Sequence, residues 1–483
     1  MRTPCAAFAL LALGCALNPV SGRPEFVLIS SARERAIGEE QEAQLLAEVG
    51  RSDHAATRAW VESVGARLAV HSPRKDVRYR FHVLDLEVPN AFALPGGPVF
   101  VTRGLLALVR SEDELAGVIG HEVGHVAARH SVRQASAATP LDVVFGVPAA
   151  IVGSVSRPLG TLVGLPGALV SGIALSAYGR EQEHEADTVG AELAVQAGFQ
   201  PGALAVFLER LEREEALHRE GPQPLSFFSS HPRTPDRTQR VRAHAEELAP
   251  GVYAASAAEI EAALAKLDGL LIGPSPLHGV FVDDDFFHPA LGIAWRVPTG
   301  WVRENQPKAV IAVDPESEGR VALLLQLVGE GDDPVEAAAA EGLGEEQQRA
   351  LQPFRVNGLP AAELEVGSGG DAAHLTWLAL GGRVYRIVGI YPLAERQARR
   401  PVVAAAVESL RPLGAADRAR IAAARLRLFQ PRGGETLADL LRRAQATWDA
   451  GEAAVANDLA PGATLRPSPR IKLPVDEAFE PAR

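Results

Sequence analysis

His121, Glu122 and His125 stand in the spacing H-E-x-x-H within His121-Glu122-Val123-Gly124-His125. Residues four apart share one face of a helix, so His121 and His125 can aim their imidazoles at one metal ion. Glu122 is rotated by about 100° from His121, outside the ligand pair but within reach of a water on that ion. The chemistry this spacing offers is metal-assisted hydrolysis with Glu122 as the general base. A catalytic zinc also needs a third protein ligand and an open fourth position. His130 lies roughly 140° round the helix from His125. Ala128 and Ser131 occupy the places where the metzincin pattern requires Gly and His. His130 is therefore expected to be a surface or packing residue. Another candidate source is the acidic run Arg180-Glu181-Gln182-Glu183-His184-Glu185-Ala186-Asp187, which opens a helix. Taken alone, its carboxylates are ordinary partners of a helix dipole.

These residues need elements to hold them. Ser111-Glu112-Asp113-Glu114 has the S-x-x-E form of a capping box, which predicts a helix running through the histidines to about Arg133. Alternation over Val77–Val83 and Val99–Val101, broken by Pro95-Gly96-Gly97-Pro98, predicts two short strands and a tight turn. The remainder of 31–248 reads as amphipathic helices. Residues 158–177 carry no charge and are long enough to cross a membrane. His125 and a ligand beyond that stretch must reach the metal from one compartment, however, so the chain crosses zero times or twice. With Pro140, Asp142, Pro148, Arg157, Pro158 and Pro166 interrupting it, the expectation is a buried or membrane-leaning helical hairpin over the site.

The H-E-x-x-H motif, the downstream Glu181-Gln182-Glu183-His184-Glu185-Ala186-Asp187 and the upstream Asn90-Ala91-Phe92-Ala93-Leu94-Pro95-Gly96-Gly97 together resemble the zinc peptidases of family M48, the group of HtpX, BepA and the CAAX prenyl proteases. The resemblance runs over about 36–248 and includes Ser230-His231-Pro232. It implies one Zn2+ per chain, held by His121, His125 and Glu183, with Asp187 accepting from a ligand histidine and so fixing its tautomer. If Glu183 is not the ligand, Glu181 and Glu185 are next. The resemblance also implies that Asn90, Ala91, Phe92, Ala93 and Leu94 form an edge strand that pairs with substrate backbone. It further implies that His231 sits on a plug-like loop, where it can act as a latch ligand in the open zinc position. Pro232 disfavours helix at His231 and holds it extended or in a turn. The chain lacks the helical repeat tail of BepA, so assembly-factor partners are not carried over.

Composition narrows the class. The chain has 483 residues, 48 Lys plus Arg against 60 Asp plus Glu, and a net charge of −12, which argues against a nucleic-acid partner. Residues 1–14 read as a signal peptide whose apolar stretch is too short to span a bilayer. Ala12-Leu13-Gly14-Cys15 resembles a lipobox, making Cys15 the acylated residue and 15–35 a tether from a membrane lipid anchor. Residues 36–248 form the peptidase domain, 249–275 a helical linker and 276–412 an α+β domain. A charged link over 413–427, helical from Asp417, leads to a small module at 428–475 and a tail at 476–483. In that module Gly434-Glu435-Thr436-Leu437, Asn457 and Arg470-Ile471-Lys472-Leu473-Pro474 resemble a LysM repeat, which makes peptidoglycan a candidate ligand; an unrelated small cap is the other reading. The fold class expected is multidomain: a mainly α, zincin-like peptidase domain with a small β-sheet, then the α+β domain and the LysM-like module. The function expected is a lipid-anchored zinc endopeptidase at the periplasmic face of the outer membrane, hydrolysing misfolded or misassembled envelope proteins. The alternative is a non-hydrolytic wall-binding or chaperone-like scaffold.

Overall fold

The structure, a computed structural model, describes residues 15–137, 177–218, 226–233, 236–251, 253–306 and 309–480. The expected signal peptide lies outside these residues, as does all but the last residue of the uncharged stretch 158–177. No helix among the described residues is long and apolar enough to cross a membrane. The chain divides into two units, one comprising Met1–Val147, Ile173–Gly273 and Ala423–Glu477, the other Pro148–Gly172, Pro274–Ala422 and Ala478–Arg483.

The first unit begins with an antiparallel pair, β1 (Cys15–Leu17) and β2 (Pro24–Phe26). Where a tether was expected over 15–35, this hairpin forms, because the Asn18 side chain caps its own turn by accepting from Val20 N and Ser21 N. Helix α1 (Ser31–Glu48) and helix α2 (Ala55–Ala69) follow. Next come β3 (Arg80–Leu84), β4 (Ala91–Ala93) and β5 (Pro98–Thr102), in sheet order β3-β5-β4. Strand β3 runs parallel to β5, and the Pro-Gly-Gly-Pro turn joins β4 antiparallel to β5. The helices are α3 (Arg103–Leu108), α4 (Glu112–Ala127), α5 (His130–Ala137), α6 (Arg180–Gln196), α7 (Ala203–Leu217), the single turn α8 (Phe227–Ser230), α9 (Arg237–Leu248) and α10 (Ala257–Leu267). Their core is built from Trp60, Val64, Leu68, Leu105, Leu115, Ile119, Val123, Leu193, Phe207 and Leu208. Helix α10 buries Ile260, Ala263, Leu264 and Leu267 in the same core, so this part of the segment expected as a linker is packed into the first unit.

The second unit is built on sheets. Strands β6 (Ala309–Val313), β7 (Ala322–Glu330), β8 (Leu359–Ser368), β9 (Asp371–Leu380) and β10 (Arg383–Pro392), edged by 302–306 and 352–356, make a seven-stranded antiparallel sheet. Helix α11 (Arg396–Ser409) covers one face through Val403, Ala406 and Val407, and the helix Pro334–Ala340 covers the other through Ala338. Covering both faces explains why β7, β9 and β10 are apolar at successive positions and not alternating.

The chain then returns to the first unit with β11 (Ala422–Phe429), α12 (Leu437–Ala444), α13 (Ala450–Asn457) and β12 (Ile471–Ala478). The helical link expected over Asp417 to Arg427 is thus a strand from Ala422 on. Leu426 is buried in the core between Arg425 and Arg427, a period of two that alanine-rich composition hides. Lys472, fully buried, donates from Nζ to Val109 O at 2.7 Å, which ties this βααβ module to the loop before α4.

Candidate metal centre

Two helices bring the motif residues together. Ser111 Oγ accepts from Glu114 N at 3.1 Å and starts α4. The Glu114 carboxylate does not close the expected box; it accepts from Arg110 N (2.8 Å) and from Arg210 (2.6 and 3.0 Å). Helix α4 lies against α6 at very short range because small residues face each other. A Cβ on Gly124 would stand 2.8 Å from Ala186 O, and one on Gly190 would stand 2.7 Å from His121 N. This close approach allows the short reach from α6 to the α4 histidines.

Ligand atoms of His121, His125, Glu183 and His231 all lie within 4.8 Å of one another, and all four side chains are buried. His125 Nε2 and His121 Nε2 are 3.0 Å apart, and His231 Nδ1 is 3.2 Å from His121 Nε2 and 3.0 Å from Glu183 Oε1. Asp187 Oδ1 is 2.8 Å from His121 Nδ1. A proton on His121 Nδ1 would face this carboxylate and leave the Nε2 lone pair toward the cluster. Glu122 is fully buried beside it; neither of its oxygens makes a hydrogen bond among the described residues, and His231 Nε2 stands 3.4 Å from Oε1. Glu183 Oε2 makes no hydrogen bond but is ion-paired with Arg237 Nη1 at 2.7 Å. Converging ring nitrogens and a carboxylate are the donor set of a divalent cation, and the nitrogen-rich mixture suits zinc.

The charges respond to that crowding. Burial pushes the Glu122 carboxyl up, with His231 and His121 opposing it. Burial would also raise Glu183, but His231, His125 and His121 beside it hold it well below the usual carboxylate range. Burial acts on Asp187 in the same direction and is outweighed by Arg237 and His121. Burial and the neighbouring His121 drive His125 toward the neutral form, the form that ligates.

Two buried partners escape sequence reasoning. Arg237, at the start of α9, donates to Asp187 (3.0 and 2.9 Å) and lies 2.7 Å from Glu183 Oε2. The signal for it was the uncompensated pair Glu183 and Asp187, which demands a cation once buried. Of the two roles expected for His130, surface or packing, burial excludes the surface: it is fully buried, with Nδ1 2.9 Å from His125 Nδ1. The 140° reckoning assumed one helix to Arg133. The helix breaks at Arg129, whose φ of 57° is held by Glu34 Oε2 and Ile29 O, and the break returns His130 to the motif's side.

The other expected residues are placed as follows. Ala91, Phe92 and Ala93 form β4, at one edge of its sheet, flanked by Asn90 and Leu94. Glu181 is on α6 outside the cluster, and Glu185 faces His130 at 3.0 Å. His231 follows the α8 turn, stacked on Phe227 with ring centroids 4.4 Å apart, and Phe227 N donates to Pro89 O beside the edge strand. Tyr178 stacks on His125 at 3.9 Å. Cys15 opens β1 opposite Phe26.

Residues 55–245 match the model of peptidase family M48. The chain is 30% identical over 229 residues to the mitochondrial metalloendopeptidase OMA1 of Schizosaccharomyces pombe, covering 46% of this chain and 64% of that protein. It is 27% identical over 200 residues to the beta-barrel assembly-enhancing protease of Escherichia coli K12, covering 41% and 40% respectively. To the OMA1 metalloendopeptidase of Bos taurus it is 28% identical over 238 residues, covering 47% and 45%. The chain thus spans less than two thirds of the length of each of these relatives.

Proposed function

From the match of residues 55–245 to the model of peptidase family M48, we propose that this chain is a zinc-dependent endopeptidase acting in protein quality control of the cell envelope. The observation that carries it is the convergence of His121, His125 and Glu183 beside a buried Glu122 whose oxygens have no hydrogen-bond partner among the described residues. These three residues hold Zn2+, one per chain. A bound zinc supplies Lewis acidity there, acidifying water and polarising a carbonyl. Glu122 takes the proton from the attacking water on a carboxylate oxygen and delivers it to the leaving amine nitrogen. Asp187 and Arg237 keep His121 and Glu183 oriented, and β4 offers its free edge to an extended substrate.

Misfolded or misassembled envelope proteins are the proposed substrates, a class in keeping with the name of the beta-barrel assembly-enhancing protease it resembles. Acylation of Cys15 attaches the protein to the periplasmic face of the outer membrane, and Cys15→Ser releases it from membranes. The βααβ order of 422–478 supports the LysM-like reading, with peptidoglycan as its candidate ligand. The purified full chain, incubated with an unfolded protein, tests the proposal: hydrolysis is abolished by a chelator and restored by zinc. A zinc-replete, folded protein that leaves the substrate intact overturns the enzyme in favour of a scaffold.

A further inference from the structure

A chain of hydrogen bonds leads from the metal site to the amino-terminal hairpin. His125 turns Nε2 toward the cluster and Nδ1 toward His130 Nδ1, 2.9 Å away. His130 Nε2 lies 3.0 Å from Glu185 Oε2. The other Glu185 oxygen, Oε1, accepts from Asn18 Nδ2 at 3.0 Å, and Asn18 Nδ2 also donates to Glu25 Oε1 at 2.9 Å. Arg133 Nη1 spans both strands of this arrangement, 3.3 Å from Glu185 Oε2 and 3.2 Å from Glu25 Oε1. His130 is fully exposed to none of the solvent and Asn18 only 2% exposed, so water does not substitute for either.

The proton order follows from the ends. Glu185 is an acceptor at both oxygens, Oε1 taking the Asn18 amide and Oε2 facing His130 Nε2 at 3.0 Å. His130 therefore donates from Nε2 and, as a neutral ring, accepts at Nδ1. His125 must then donate from Nδ1, which leaves its Nε2 lone pair for the ion. This is the tautomer a zinc ligand needs, fixed by its outer partner. His121 obtains the same tautomer directly from a carboxylate, Asp187. His125 obtains it through an intervening imidazole.

We propose that His130 is the positioning residue for the ligand His125, and that the hairpin 15–26, through Asn18 and Glu185, is a structural part of the metal centre. The proposal rests on the reading of His121, His125 and Glu183 as zinc ligands. Its consequence is that displacement of the hairpin, whose Asn18 lies three residues after Cys15, loosens His125 and weakens the site.

Zinc affinity of the full chain, measured by competition with a chromogenic chelator, tests this without reference to turnover. Replacing a group that orients a ligand typically lowers metal affinity about 10–100-fold. His130→Phe, which keeps a ring but no nitrogen, shows a loss of that size and alters the visible spectrum of the cobalt-substituted protein. His130→Gln, with an oxygen to accept and an amide to donate, restores most of the affinity. Asn18→Ala shows a smaller loss in the parent and no additional loss in His130→Phe, since the connection is already cut. A folded His130→Phe protein with the parent's affinity and spectrum overturns the relay alone. If His130→Phe does not fold, Asn18→Ala decides, and unchanged affinity there overturns the hairpin's role. A parent chain that binds no zinc overturns both this inference and the metal reading beneath it.

Discussion

Buried charge occurs in both units, but it is handled differently in each. In the second unit Arg386 is covered by Glu341 and by Gln326 Oε1 at 2.6 Å, and although His374 Nδ1 and Thr376 Oγ1 are buried there without a hydrogen bond, its described residues hold no cluster able to bind a metal ion. In the first unit, four ionisable side chains from α4, α6 and the turn after α8 converge, and Glu122, Glu183 and His231 each keep a polar atom without a hydrogen bond. Leaving buried polar atoms without hydrogen bonds costs several kcal/mol in total. What separates the two units is convergence: in the first such atoms gather with ring nitrogens within reach of one ion, as the proposed zinc site requires, and in the second they are not part of any such cluster among the described residues.

The largest expected effect breaks that arrangement at its base. Glu122→Gln keeps every proposed ligand but removes the proton acceptor. Zinc content stays at one per chain while hydrolysis of an unfolded substrate falls by about 10²–10⁴-fold, the usual range for general acid–base catalysis. Undiminished turnover removes Glu122 from the role. Glu183→Ala loses hydrolysis for a different reason: two protein ligands remain, and metal analysis shows reduced zinc occupancy. Full occupancy in that variant moves the third ligand elsewhere.

The second unit supplies the contrasting test. Trp377 is fully buried on β9, with Nε1 donating to Glu341 Oε1 at 3.0 Å. Trp377→Ala destabilises its sheet by about 3–5 kcal/mol, measured by denaturant unfolding. Zinc affinity and hydrolysis of a generic unfolded substrate remain those of the parent. A matching fall in hydrolysis below the unfolding transition shows that the two units are not separate in function.

The sequence exposed the motif helix because its signals are local: a Ser111 cap, two histidines four apart and an acidic helix start. What it concealed depends on chain direction and distance. The break at Arg129 is set by Glu34, nearly a hundred positions away, and no local pattern shows that His130 is turned inward. Arg237 is one of many arginines until Asp187 and Glu183 are seen buried against it. Strand β11 was read as helix because its alanines suit either state and its partners are the distant 271–272 and 471–478. The hairpin at 15–26 reads as a tether because turn-forming residues look alike in both.

The smallest expected effect refines the site from within. His231 is the one member of the four-residue cluster that belongs to neither α4 nor α6. It follows a single helical turn, φ −118° and ψ 80°, and is braced by the ring of Phe227. A ligand on such a short support can leave at lower cost than one on a packed helix. Its Nδ1 lies 3.0 Å from Glu183 and its Nε2 3.4 Å from Glu122, so it stands where a substrate carbonyl and the attacking water must come. If it acts as a latch, its removal opens the site without taking away the three ligands or the base. His231→Ala therefore hydrolyses an unfolded substrate at neutral pH a few-fold faster than the parent, with zinc content unchanged. A folded, zinc-replete His231→Ala protein with equal or lower activity rejects the latch. It assigns His231 instead to packing against Phe227 or to holding the transition state, and leaves Glu122, beside the cluster, as the proposed base.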